Sequence, residues 1–154
     1  MRRILGTLLL VPALLGLLAG CGDDTATDPE DETTPESTAL DYDVLAIVSE
    51  TAAGGTVSQT LTPVPGPDEL AAFLEQFDND GFREEIIAEV QSHQPREGYV
   101  VGAAVVAIGC DVPPDVSVEA ADDGFAVQAG KVVDPHQECY APVTSVAVIE
   151  VPGT

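Results

Sequence analysis

Apolar and polar positions divide the chain into three parts. Residues 4–19 are apolar apart from Thr7, with Gly6, Pro12 and Gly16 interrupting the run. Residues 22–38 hold no aliphatic side chain larger than Ala. Beyond them, short apolar runs and periodic stripes begin. Residues 44–48 (VLAIV) predict a first strand. Gly54-Gly55 ends it, and residues 56–61 alternate, with Val57, Gln59 and Leu61 on one face; these predict a second strand paired with the first as a hairpin. Pro63, Pro65, Gly66 and Pro67 stop the chain. Pro67 with Asp68 and Glu69 then opens a helix, proline suiting its first turn and acids its positive end. Leu70, Phe73, Leu74 and Phe77 recur at helical spacing. After the turn Asp78-Asn79-Asp80-Gly81, with Asp80 expected as N-cap, a second helix over residues 82–92 turns Phe82, Ile86 and Val90 inward until Pro95 ends it. Residues 99–108 (YVVGAAVVAI) predict a central strand buried on both faces, with a half-buried strand as the alternative. Val116, Val118 and Ala120 alternate, as do Phe125, Val127 and Ala129, around the hairpin signal Asp122-Asp123-Gly124. Residues 130–142 form a loop, and residues 144–151 (TSVAVIEV) the last strand. The expected fold is α+β, a mainly antiparallel sheet of five to six strands with two helices packed on one face.

The first apolar run follows the positive Met1-Arg2-Arg3 and is too short and too interrupted for a stable membrane span, so it reads as a signal-peptide core. It ends in Leu18-Ala19-Gly20-Cys21, which closely resembles the lipobox of bacterial lipoproteins. That resemblance implies a diacylglyceryl group on the Cys21 sulfur, cleavage between Gly20 and Cys21, and a protein held by lipid at the extracytoplasmic face of a cell membrane. Two acyl chains suffice for stable anchoring where one is marginal. An ordinary secretory signal with an incidental cysteine is the alternative. The expected organisation is a signal peptide over residues 1–20, a lipidated Cys21 with an acidic Thr/Pro linker over residues 21–39, and one α+β domain over residues 40–154. A linker of acids, Thr, Pro and Ser buries too little apolar surface to offset ordering entropy, and its like charges extend it.

Charge sharpens this picture. The chain carries 27 acids against five Lys and Arg; without residues 1–20 only Arg83, Arg96 and Lys131 remain, a net charge of −24. Such a field repels nucleic acid and anionic lipid surfaces, so neither is expected as a partner. With Cys21 assigned to lipid, Cys110 and Cys139 are left, and in an oxidising compartment an even pair is most simply a disulfide. Two free thiols or a metal pair are the alternative. A bridge across this loop would contribute about 3 kcal/mol on the chain-entropy relation.

Residues 105–152, with a Val-rich strand ending at Ile108-Gly109, a hairpin around Asp123-Gly124, a proline-bearing loop and a last strand ending in Val151-Pro152, resemble the C-terminal domain of PrcB-type protease-complex proteins and of small envelope lipoproteins. The resemblance implies a non-enzymatic sheet domain that binds a partner. Candidate chemistry is sparse. Asp78-Asn79-Asp80-Gly81 lacks both anchor positions of a calcium-binding EF-hand loop: with Gly81 at the sixth position, Gln76 stands first and Ile87 twelfth. Asp134, His136 and Glu138 alternate as zinc ligands would in an extended segment, although Pro135 and the expected disulfide favour a plain loop; no metal or other cofactor is expected. His93 is expected to favour the negative end of the second helix. Nucleophile-elbow, zinc-protease, phosphate-loop and dinucleotide motifs are absent. The expected function is therefore a membrane-anchored, non-catalytic domain that binds a protein or envelope component through loop 132–142 or an exposed sheet edge. An accessory partner of an exported protease is the first alternative, a metal-binding or hydrolytic envelope protein the second.

Overall fold

The structure, a computed structural model, describes residues 40–153. The expected leader, linker and lipidation site, including Gly20 and Cys21, lie outside these residues. The elements in chain order are β1 (Asp43–Thr51), β2 (Thr62–Pro63), α1 (Pro67–Leu74), α2 (Asp80–Ser92), β3 (Tyr99–Gly109), β4 (Val116–Ala121), β5 (Gly124–Ala129) and β6 (Val143–Pro152). Four strands form one antiparallel sheet in the order β1-β6-β3-β2, and β4 and β5 form a hairpin sheet of their own. The chain is thus α+β, with two helices and six strands.

β3 and β6 are the two inner strands, and their sequences show why. β6 is buried from Thr144 to Val151, and β3 from Val101 to Val106. Successive residues alternate between two apolar clusters, as the period of two requires. Val101, Ala103, Val105, Val146 and Val148 join Leu70, Phe73, Leu74, Phe77, Phe82 and Ile86 from the helical region. Ala104, Val106, Ala147, Ile149 and Val151 join Val116, Val118 and Val127 of the hairpin.

The helical stripe packs as its spacing predicts, but α1 is shorter than the stripe. Pro67 stands at its start, and the helix stops at Leu74. Phe77, beyond the end, is still buried and lies edge-on to Phe73 and Phe82, at ring-centroid distances of 5.6 and 5.1 Å. The N-cap of α2 is Asn79, not Asp80: the Asn79 side chain accepts a bond from Phe82 N at 3.0 Å. Asp80 instead enters the first turn as an acid and pairs with Arg83.

The expected hairpin between residues 44–48 and 56–61 does not form. β1 pairs with β6, the last strand of the chain. The cause is the turn after Thr51. Ala52, Gly54 and Gly55 adopt left-handed φ values of 54°, 81° and 92°, a region open mainly to glycine. Asp78 N donates to Ala53 O at 3.0 Å, and the Thr144 hydroxyl to Gly54 O at 2.8 Å. These bonds lead the chain toward the α1–α2 turn instead of back along β1. Residues 58–64 then run between the two sheets. Ser58 N and Val64 N donate to Val105 O and Val101 O of β3, both at 2.9 Å, and Leu61 N donates to Phe125 O of β5 at 2.9 Å. Leu61 is buried, but Val57, which the alternation puts on the same face, is exposed.

Candidate functional site

Three features carry the polar and exposed groups of the described residues. The first is the loop between β5 and β6. Cys110 and Cys139 form a disulfide across a separation of 29 residues, joining the end of β3 to this loop. Further ties hold it. Gly130 N donates to Asp115 O at 2.8 Å, and Ala52 N, just past β1, donates to Pro142 O at 2.8 Å. His136 N donates to Asp111 Oδ2 at 2.9 Å, while its ring Nδ1 pairs with Asp111 Oδ1. The bond with His136 holds the Asp111 carboxyl below its ordinary range, and the same bond raises the imidazole above 6.5. His136 is therefore engaged with Asp111. The structure does not gather Asp134, His136 and Glu138 into a ligand set: among the described residues no three His, Cys, Asp or Glu side chains are placed to hold a metal ion. With its backbone tied, the loop presents Tyr140, fully exposed, and Val133, 82% exposed.

The second feature sits toward the opposite end of the sheet and is built around Glu150. This carboxylate is 1% exposed on β6. His93 Nε2 lies 2.6 Å from Oε2, Arg96 N donates to Oε2 at 3.2 Å, and Arg96 Nε donates to Oε1. Arg96 reaches further, donating through Nη1 to Asp41 Oδ2 at 3.1 Å and lying 3.9 Å over the Tyr99 ring. The Tyr99 hydroxyl donates to the same Asp41 oxygen at 2.5 Å. Arg96 first, then His93, lower the Glu150 pKa to about 2. Hydrogen bonding to Asp41 raises the Tyr99 phenol. The carboxylates in this network already accept bonds from the chain's own donors, so it acts as a clasp. It joins the segment before β1, the segment after α2 and the two inner strands. His93 occupies the C-cap position of α2, and its ring pairs with Glu150. Beside the clasp lies a cleft of about 470 Å³, walled by Val64, Leu70, Val90 and Val101 together with His93 and Tyr99.

Sequence reasoning passed over Glu150. One signal was available: Val146, Val148 and Glu150 share a face of a strand that is otherwise apolar. A carboxylate there demands a cation, and few are available in this chain.

The third feature is the outer edge of β1. Among the described residues β1 pairs with β6 alone, and most of its residues are half-buried where those of β6 are buried. Its far end meets Pro142, two residues from Tyr140. The Ala52–Pro142 bond continues the β1–β6 ladder by one step, on the side of β1 that faces β6.

Compared with protein-family models, with curated proteins and with solved structures, the chain finds no match.

Proposed function

We propose that the chain is an extracytoplasmic lipoprotein, anchored to the cell membrane through Cys21 and carrying a single domain over residues 40–154 that binds a protein or envelope component without catalysis. In this reading residues 1–20 are removed, and residues 21–39 act as an extended acidic spacer. The two helices cover one face of the main sheet and the β4–β5 hairpin the other, consistent with the division of β3 and β6 between two apolar clusters. That arrangement leaves the rims of the sheet for contact.

The observation that carries the binding reading is the disulfide-tied loop that holds Tyr140 in solvent. A fully exposed aromatic on a loop fixed at several points is a favourable anchor, because little ordering entropy remains to be lost on binding. The accessory role toward an exported protease rests on the resemblance of residues 105–152 to the PrcB-type domain and differs only in the partner. A photo-reactive amino acid placed at Tyr140, with a control at the exposed Glu119 of β4, tests the proposal in native membranes. We expect one envelope protein to be captured from position 140 and not from position 119. Capture of a protease would select the accessory role. Equal labelling from both positions would refute the binding surface.

A further inference from the structure

We propose that the open edge of β1, from residue 46 to residue 50, takes up an extended basic segment of a partner protein as an added antiparallel or parallel strand. This rests on the binding reading above and names the chemistry of the partner.

Topology supplies the first part of the argument. Among the described residues β1 ends the order β1-β6-β3-β2, so every second residue turns its N–H and C=O away from β6. Such an edge is a template for another strand, and proteins commonly block it with lysine, proline, a bulge or a covering element. β1 has neither lysine nor proline. Its register is irregular between Val44 and Ala46, which disturbs only the first third. At the far end Thr51 N is held by Glu50 Oε1 at 2.6 Å. The stretch between, Ala46, Ile47, Val48, Ser49 and Glu50, pairs regularly with β6, so its other edge is straight enough to receive a strand of ordinary length. Ala46 and Ile47 are only half-buried, and an added strand would cover them further. Peptide recognition by strand addition works in this way: main-chain bonds give affinity and alternate side chains give specificity.

Charge selects the occupant. Asp43 precedes the stretch and Glu50 is its last residue. Two of the three cations among the described residues, Arg83 and Arg96, are held in ion pairs. The whole chain carries −22. A second copy pairing edge to edge would bring two strongly negative domains together, whereas a basic segment would be drawn in.

The test uses the full chain in detergent and the peptide Lys-Thr-Val-Thr-Val-Thr-Lys, read by amide hydrogen exchange and resonance shifts. The peptide should slow exchange at residues 46–50 and shift them before any other strand. N-methylation at its valines or at its threonines should divide the response: one pattern loses at least tenfold in affinity and the other keeps it, because only alternate N–H groups face the edge. Replacing both lysines by Glu should weaken binding at least fivefold at low salt, with the difference shrinking as salt is added. Unchanged exchange at residues 46–50, equal binding by both methylated peptides, or equal binding by the Glu peptide would overturn the proposal. Protection of residues 46–50 that rises with protein concentration in the absence of peptide would do the same, by assigning the edge to a second copy. If position 140 captures a partner while the peptide leaves β1 untouched, the binding reading stands and the edge assignment falls.

Discussion

Replacing Gly102 by Ala tests the least expected part of the fold, the passage of residues 58–64 between the two sheets. A Cβ at position 102 would stand 2.6 and 2.7 Å from Leu61 Cγ and Cδ2, and 3.1 Å from Cδ1. Carbon atoms pack favourably at about 3.5–4.0 Å, so the leucine must move by nearly an ångström. It has little room, being 4% exposed within the cluster shared with Ala104, Ile149 and Val127. Overpacking of this kind costs about 1–3 kcal/mol. Leu61→Ala alone should cost about 2–5 kcal/mol through lost burial and the void it leaves. In the double variant the added methyl occupies space the leucine has vacated, so Gly102→Ala should then cost close to nothing. The double-mutant cycle should therefore show a coupling of about 1–3 kcal/mol between the two sites. Urea denaturation of the oxidised protein, followed by circular dichroism, measures all four midpoints at a common slope. Had residues 56–61 paired with β1 as the hydrophobic pattern implied, Leu61 would not lie over Gly102. Independent, additive effects would return the chain to that hairpin and refute the observed path.

Other outcomes follow from the charged clasp and the tied loop. Glu150 titrates at about 2 in the folded chain against an ordinary 4.5; its contribution is complete above about pH 4.5 and is lost as pH falls toward 2. Thermal melts of Glu150→Gln should accordingly show a lower melting temperature than the parent at pH 7, with the gap narrowing on acidification; a gap constant with pH would contradict the clasp. His136 is raised above its ordinary 6.5 by Asp111, so this pair stabilises the loop fully below pH 6.5 and progressively less as pH rises through the raised value. Hydrogen exchange at the His136 amide, corrected for the intrinsic rate at each pH, should show protection falling over that interval, and Asp111→Asn should abolish the dependence. Replacing Cys110 and Cys139 by Ser removes a bridge over 29 residues and should cost about 3–4 kcal/mol on the chain-entropy relation; intact mass with and without reductant first checks that the bridge is present.

The elements that the sequence disclosed are those whose signal is local. The stripe Leu70, Phe73, Leu74 and Phe77 names a buried helical face regardless of what covers it, and all four are buried. The run in β3 announces an inner strand because an exposed face would have carried polar residues, whereas the inner place of β6 was not read from its sequence. Asp122 and Asp123 mark the two-residue loop between β4 and β5, with Gly124 opposite Ala121. What the sequence concealed depends on distant partners. Residues 56–61 do alternate, but alternation does not say which strand answers it, and the left-handed turn at Gly54-Gly55 decided against the neighbour. β1 found β6 about a hundred residues away, a pairing that no local signal encodes. The candidate site divides in the same manner. The disulfide was legible from counting cysteines. Glu150 was not recognised, because an acid is conspicuous only once the face it occupies is known to be buried. The pairing of His136 with Asp111 required a fold that brings residues 25 positions apart together. The edge of β1 was visible only after the strand order was fixed.

The proposed membrane anchoring rests on one side chain, Cys21. Intact mass spectrometry of the chain extracted from its own membranes reads it directly. Anchoring through Cys21, as proposed, requires a protein that begins at Cys21, lacks residues 1–20, and carries the added mass of a diacylglyceryl group that Cys21→Ser eliminates while releasing the protein from the membrane. A mature chain beginning elsewhere, or beginning at Cys21 with an unmodified thiol, would contradict it.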